Sequence, residues 1–183
     1  MLKSDEYVRI IKNCNREDLI SLWKMIKSGN TPGWPPGKAF EYLVLRAFQL
    51  DGSEVTWPYS VNIGESSEEV EQIDGVVYVK DICCIVECKD SSSRINIEPI
   101  SKLRNQLLRR PSSAIGAVFS RNGFTNPAHI LAQFLFPQTI LLWVGDEVEI
   151  ALKNGWMCKG LIKKYRLCVE KGIPDYHIQL GVA

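Results

Sequence analysis

The chain has 183 residues, of which 45% are hydrophobic and 23% are charged, and its net charge is +1. This length and composition predict one globular domain with a full hydrophobic core and exclude a disordered chain. No apolar run reaches the roughly 18 residues that a membrane-spanning helix needs, and acidic residues stand near the start where a secretory signal would be apolar. We therefore expect a cytoplasmic protein with no membrane association. A near-neutral charge excludes a uniformly cationic surface but allows a local basic face.

The first 36 residues predict a helical extension followed by a connector. Apolar residues recur at helical spacing between about residues 4 and 28, and Asn15 or its neighbours are expected to divide this helix into two pieces. Residues 31–37 contain three prolines and two glycines, which neither a helix nor a central strand accommodates. We expect the main domain to begin at residue 37.

The first half of that domain predicts a helix and then mainly strands. A helix is expected from about Lys38 to Leu50, because its apolar residues form one face, and a strand is expected over residues 54–58. A polar, solvated loop is predicted at residues 65–69. Two β-rich runs follow, residues 72–79 and 82–89, and the intervening Lys80-Asp81 predicts a hairpin.

The second half alternates between helices and strands, which favours parallel pairing in a mixed α/β sheet. The expected order is a helix at 97–110, a strand at 115–120, a helix at 126–136 and a strand at 139–144. Residues 37–145 would thus form the core domain. Residues 146–183 would form a tail packed on it, with helices near 146–152 and 159–171.

The six cysteines stand at positions 14, 83, 84, 88, 158 and 168. Three of them fall on one predicted strand, and no Cys-x-x-Cys pair accompanies histidines at zinc-finger spacing. We expect buried, reduced thiols.

The predicted hairpin brings three charged residues together. Side chains alternate along a strand, so Glu87 and Lys89 lie on one face, and a two-residue turn at Lys80-Asp81 places Asp74 opposite Glu87. Two facing carboxylates are unfavourable unless a cation or a shared proton separates them. A divalent metal such as Mg²⁺, which takes oxygen ligands and can share a phosphate with the protein, is the expected occupant. The alternative for a Glu-x-Lys pair is a surface ion pair, which the very apolar run at residues 82–86 disfavours.

The residues Ile-Asp-Gly-Val-Val at 73–77 and Ile-Val-Glu-Cys-Lys-Asp at 85–90 resemble the PD-(D/E)xK nuclease motif. The chain looks most similar to the restriction-endonuclease-like branch with Mrr-type catalytic domains, whose αβββαβαβ order covers roughly residues 37–145. The chain departs from the motif at Ile73, where the motif has proline, a departure that is common in this diverse group. The resemblance implies a mixed central sheet flanked by helices.

The same resemblance implies roles for individual residues. Asp74, Glu87 and Glu41 would bind Mg²⁺, with Mn²⁺ as a substitute, and Lys89 would position the attacking water or stabilise charge on the phosphate. Glu41 also has a simpler explanation, because an acidic residue one turn into a helix interacts favourably with the helix dipole.

A locally basic stretch follows the motif and is a candidate for contacts with nucleic acid. Its members are Lys102, Arg104, Gln106, Arg109, Arg110 and Arg121. Gln106 resembles polar residues that support the site in some relatives. The alternative is an ordinary solvated helix face.

These observations predict a metal-dependent DNA endonuclease, with restriction or phage defence as its context. No separate sequence-reading domain is visible, so specificity would come from a homodimer, from the N-terminal helices or from a partner subunit. A noncatalytic nucleic-acid-binding module is an alternative, which the intact Asp, Glu and Lys set disfavours. A structural subunit of a larger complex is another.

Overall fold

The computed structural model describes residues 4–57, 59–62 and 69–179. The helices and strands follow one another in the order α1 (Ser4–Asn13), α2 (Arg16–Ser28), α3 (Lys38–Leu50), β1 (Glu54–Thr56), β2 (Tyr59–Asn62), β3 (Glu69–Ile73), β4 (Gly75–Val79), β5 (Ile82–Lys89), α4 (Glu98–Leu107), β6 (Ile115–Ser120), α5 (Asn126–Gln133), β7 (Ile140–Val144), α6 (Gly145–Asn154) and α7 (Met157–Lys171). None of the helices within these ranges is long and apolar enough to cross a membrane.

The main sheet has five strands in the order β1-β4-β5-β6-β7. The β1–β4 and β4–β5 pairs are antiparallel, whereas β5–β6 and β6–β7 are parallel. The mixed α/β sheet and the parallel pairing expected for its second half are therefore confirmed.

Helices cover both faces of this sheet, so its central strands are buried on both sides. Along β5, Cys84, Val86 and Cys88 face a core shared with α3, α6 and α7, while Ile85 faces a second core shared with α4 and α5. Glu87 and Lys89 follow the alternation of Ile85 and therefore belong to the α4 side. This face carries the candidate site.

The N-terminal helices are divided at Asn15, as expected. Asn15 Oδ1 accepts a hydrogen bond from the backbone N–H of Asp18 at 3.0 Å, and Asp18 Oδ2 accepts one from the N–H of Asn15 at 2.9 Å. This reciprocal cap starts α2 and stops α1 from continuing into it. Ile11 and Ile26, one from each helix, are fully buried in the core that also contains α3.

The strand predicted at residues 72–79 is in fact two strands. Backbone pairing stops at Asp74, so β3 pairs with β2 in a separate two-stranded sheet and β4 pairs with β1 and β5. Sequence reasoning missed β2, and Glu69, expected in a loop, begins β3. The rest of that predicted loop lies outside the described residues. An apolar run shows that a segment is extended, but it does not show which neighbour the segment pairs with.

All six cysteines are free thiols, as expected, but only Cys84, Cys88 and Cys168 are buried, whereas Cys14, Cys83 and Cys158 are partly exposed. Burial raises the pKa of Cys88 well above its usual range, with nearby carboxylates adding to the effect. Its thiol therefore stays protonated although it stands between Glu87 and Lys89.

Candidate active site

The β4–β5 hairpin sets the geometry of the site. Val79 pairs with Ile82 across the two-residue turn, and the register continues to Gly75 opposite Val86. Asp74 is one residue beyond this last pair, which places it across from Glu87. This is the pairing expected from the Lys80-Asp81 turn.

Glu87 is the most buried charged group of the site, with 1% of its surface exposed. Its carboxylate lies 2.6 Å from Lys89 Nζ and 3.1 Å from Lys102 Nζ. Lys89 comes from the same strand, and Lys102 reaches across from α4. Burial alone would lower the pKa of Lys89, but the hydrogen bond and the charge of Glu87 outweigh burial and raise that pKa. Lys89 is therefore a permanent cation next to the carboxylates.

Asp74 lies in the break between β3 and β4. Its Oδ2 accepts a hydrogen bond from the backbone N–H of Cys88 at 2.8 Å, which fixes the carboxylate against β5. Burial raises the pKa of Asp74, the charge of Glu87 raises it further, and the Cys88 hydrogen bond only partly opposes them. The next residue is Gly75, and its position leaves no room for a side chain, because a Cβ there would lie 2.6 Å from Leu45 Cδ2 of α3.

Glu41, on the first turn of α3, contributes a third carboxylate and is 6% exposed. Burial raises its pKa to about 7, aided by the charge of Asp74 and opposed by Lys38. Lys38 Nζ lies 2.7 Å from Glu41 Oε2. The charge of Asp74 therefore acts on Glu41, while the Glu41 carboxylate forms its ion pair with Lys38.

The donor set fits a hard divalent cation. Among the described residues, no three histidine, cysteine or acidic side chains converge closely enough to hold one ion. Mg²⁺, however, is usually held by one or two carboxylates, with water and a substrate phosphate completing its shell. Glu87 is a buried carboxylate and Asp74 a partly buried one, and they stand on facing positions, where their mutual repulsion favours a cation between them. Glu41 remains a predicted third ligand.

The residues predicted to contact nucleic acid have unlike surroundings. Lys102 belongs to the carboxylate cluster, and Arg104 is exposed on α4. Gln106 is 2% exposed and donates from Nε2 to the carbonyl of Gln72 at 3.3 Å.

The other three predicted contacts form ion pairs within the protein. Arg109 and Arg110 both bind the buried Glu71. Arg121 Nε lies 2.6 Å from Asp90 Oδ1, and its Nη1 donates to the carbonyl of Ile26. Their contact with nucleic acid stays a prediction.

Sequence reasoning overlooked two cations: Lys38, which pairs with Glu41, and Arg94, which lines a cavity together with Lys89 and Lys102. Lys38 could have been found from its spacing, because a lysine three residues before Glu41 on a helix lies on the same side. Arg94 lies in the loop after β5, where no periodic pattern in the sequence indicates which way a side chain points.

Comparisons with known proteins identify a family model and solved structures that are similar to this chain. A family model described as a restriction endonuclease, the Mrr catalytic domain, matches residues 36–151. The small subunit of the heterodimeric restriction endonuclease R.BspD6I is similar with a TM-score of 0.55 and 14% identity, over 89% of this chain and 92% of that one.

Two further solved structures have lower TM-scores. A protein of unknown function, AF1548, has a TM-score of 0.47 and 15% identity over 73% of this chain and 77% of its own. The restriction endonuclease MspJI, in complex with a 27-mer oligonucleotide, has a TM-score of 0.41 and 14% identity over 98% of this chain and 41% of its own. The search of curated proteins finds no match.

Proposed function

Because the chain belongs to the restriction endonuclease family with an Mrr-type catalytic domain, we propose that it is a metal-dependent endonuclease that hydrolyses phosphodiester bonds in DNA. The observation that supports this most is the placement of Asp74 across from Glu87, with Lys89 Nζ 2.6 Å from Glu87 Oε1. The fold holds these three groups at the carboxyl end of β5. Restriction or phage defence is the proposed context.

Each side chain has a defined part in this proposal. Asp74 and Glu87 hold Mg²⁺ or Mn²⁺, and Glu41 is the proposed third ligand. The bound ion supplies a Lewis acid for the scissile phosphate and lowers the pKa of a water molecule. Lys89 places its positive charge beside the carboxylates, where negative charge develops on the phosphate during hydrolysis.

Lysine ammonium groups balance the carboxylates when no divalent ion is bound. Glu87 has two such partners, Lys89 and Lys102, and Glu41 has Lys38. Lys102 and Lys38 form ion pairs with Glu87 and Glu41, the same carboxylates that would bind the divalent ion. Both lysines would therefore be free to approach a phosphate once the ion takes their place at the carboxylates.

The test is cleavage of circular, linear and single-stranded DNA and of RNA in magnesium, in manganese and in chelator. We expect DNA cleavage that chelator abolishes.

Lys89→Ala should reduce turnover by at least about a hundredfold with little change in fold, since Lys102 still balances the charge of Glu87. Lys24→Ala, an exposed change on α2, is the matched control.

Three results would contradict the proposal or part of it. Cleavage that persists in chelator rules out the metal site. Near-normal turnover of Lys89→Ala removes the role given to Lys89. DNA binding without cleavage under any metal condition would favour a noncatalytic binding subunit.

A further inference from the structure

Two cavities adjoin at the carboxyl end of the parallel strands and share Arg94. The first, about 470 Å³, is lined by the site lysines Lys89 and Lys102 and by Ser91, Ser93 and Arg94. The second, about 410 Å³, is lined by Arg94, Arg121, Asn122, Asn126 and His129. Arg94 therefore stands between the candidate active site and a polar cleft beyond it. We call the two cavities together the Arg94 groove.

The backbone around Arg94 is tied to the loop after β6. Ile95 donates its N–H to the carbonyl of Gly123 at 2.9 Å, and the N–H of Thr125 donates to the carbonyl of Ile95 at 2.9 Å. On the other side of Arg94, Asn122 Nδ2 donates to the carbonyl of Ser91 at 2.6 Å. The loop is thus anchored one residue after Arg94 and three residues before it, which limits the positions that the guanidinium can reach.

Charge compensation distinguishes Arg94 from Arg109, Arg110 and Arg121. Arg109 and Arg110 are paired with Glu71, and Arg121 is paired with Asp90. Arg94 is exposed, and within the described parts of the chain it has neither an ion pair nor a hydrogen bond from its side chain. Each cavity also contains one carboxylate, Glu98 or Asp146, but neither pairs with Arg94.

We infer that the Arg94 groove binds the phosphate backbone of the DNA strand being cut, with Arg94 contacting a phosphate next to the scissile one. This inference rests on the proposed nuclease function. A guanidinium with unused donors forms strong, often bidentate hydrogen bonds with phosphate. A DNA strand carries one phosphate charge per nucleotide at regular intervals. If one phosphate lies at Lys89 and Lys102, the groove leads the next phosphate along the strand to Arg94. Asn122 and Asn126 offer neutral polar groups to sugar and phosphate oxygens along that path.

The test is the affinity of a short labelled DNA duplex over a series of salt concentrations, in chelator so that no cleavage occurs. Arg94→Gln should weaken binding roughly tenfold at low salt, because a charged hydrogen bond is lost. It should also reduce the slope of log affinity against log salt by about 0.9, the value for one phosphate contact. Arg94→Lys keeps the charge and should keep most of the slope.

Arg166→Gln on α7 is the matched control, since its side chain is 73% exposed and its nearest acidic partner, Glu170, is 3.7 Å away. It should leave affinity and slope unchanged. An equal loss in both variants would show diffuse electrostatics and overturn the groove. Inorganic phosphate is the second probe. If phosphate displaces DNA at a concentration comparable to that of the DNA, the groove is a site for small anions and the proposal is wrong.

The outcomes also separate the two proposals. If wild type cleaves and binds DNA while Arg94→Gln binds it with the same affinity and salt slope, the groove is wrong and the nuclease function stands. If wild type neither binds nor cleaves DNA, the proposed function itself fails. Circular dichroism of Arg94→Gln confirms that the variant is folded in either case.

Discussion

Individual carboxylates of the site are compensated to different degrees. Glu87 has two lysine partners and Glu41 has one. Asp74 accepts a hydrogen bond from a backbone N–H at 2.8 Å and faces Glu87, so its charge is the least well balanced of the three. In the absence of a divalent ion, Asp74 is therefore the residue at which removal of a charge should relieve the most repulsion.

Asp74→Asn should raise the stability of the metal-free protein by about 1 kcal/mol, because it keeps the shape and removes one of two facing charges. It should also abolish the stabilisation that Mg²⁺ or Mn²⁺ gives to the wild type, since a ligand stabilises only the state that it binds. Calorimetry in metal and in chelator measures both effects.

Asp74→Ala is the matched comparison. It removes the same charge but also the acceptor of the Cys88 N–H, which costs about 1–3 kcal/mol when a buried donor is left without a partner. A metal-free Asp74→Asn protein that is less stable than wild type, yet gains as much from metal, would mean that Asp74 does not face Glu87 across a cation site.

Glu41 makes the metal-free protein sensitive to pH. Its pKa is raised from 4.5 to about 7, so the folded state binds a proton that the unfolded state has already lost in this interval. The stabilising contribution is complete below pH 4.5 and disappears as the pH rises through about 7. The full difference corresponds to roughly 3 kcal/mol.

Glu41→Gln should therefore flatten the fall in metal-free stability between about pH 5 and pH 8. Thermal unfolding of wild type and variant in chelator, at several pH values, provides the measurement. Parallel stability curves for the two proteins would show that Glu41 titrates normally in the fold.

At the scale of elements, the β2–β3 hairpin is attached to α4 by polar contacts. Glu71 of β3 is 8% exposed and binds Arg109 and Arg110 just beyond the helix. Gln106 adds a hydrogen bond to the backbone of Gln72. Because β3 ends one residue before Asp74, these contacts also fix the direction from which the chain enters the candidate active site.

Glu71→Gln should lower the free energy of unfolding by about 1–3 kcal/mol, since two arginines lose a buried carboxylate. Hydrogen exchange should accelerate in residues 71–73 before it does in β5. Glu54→Gln, an exposed change on β1, is the control and should stay within about 0.5 kcal/mol of wild type. Unchanged exchange in residues 71–73 would mean that Glu71 does not hold the hairpin.

For the whole molecule, the N-terminal helices, the restriction-endonuclease-like core and the tail share one hydrophobic cluster. Ile26 of α2, Phe40 of α3 and Leu161 of α7 all belong to it and are fully buried. The boundaries proposed at residues 36 and 145 divide the sequence, but the hydrophobic packing continues across both. We expect one cooperative unfolding transition rather than a separate one for the extension.

Ile26→Ala should destabilise the entire protein by about 2–5 kcal/mol, the usual effect of truncating a buried isoleucine. Far-UV circular dichroism and tryptophan fluorescence should report the same shifted midpoint. Ile130→Ala, at a side chain that is 56% exposed, is the control and should have little effect. Two transitions that separate in Ile26→Ala would show that the extension folds independently.

Local sequence was sufficient to predict helix α3 and the register of the β4–β5 hairpin. The bounds of α3 agree with the apolar face of residues 38–50, and the two-residue Lys80-Asp81 turn placed Asp74 opposite Glu87. Both predictions succeed because helical spacing, strand alternation and a short turn depend on neighbouring residues only.

Tertiary structure alone decided which charged groups are neutralised and which remain available. Glu71 meets Arg109 and Arg110 across 38 and 39 residues, and Lys102 meets Glu87 across 15. The same kind of distant contact occupies Arg121, whereas Arg94 has no ion pair with any residue that the structure describes. Periodicity shows which side of an element a residue faces, but the partner it finds there depends on how separate elements pack. That is why the carboxylate pair could be read from the sequence, while the arginine that we propose as a phosphate contact could not.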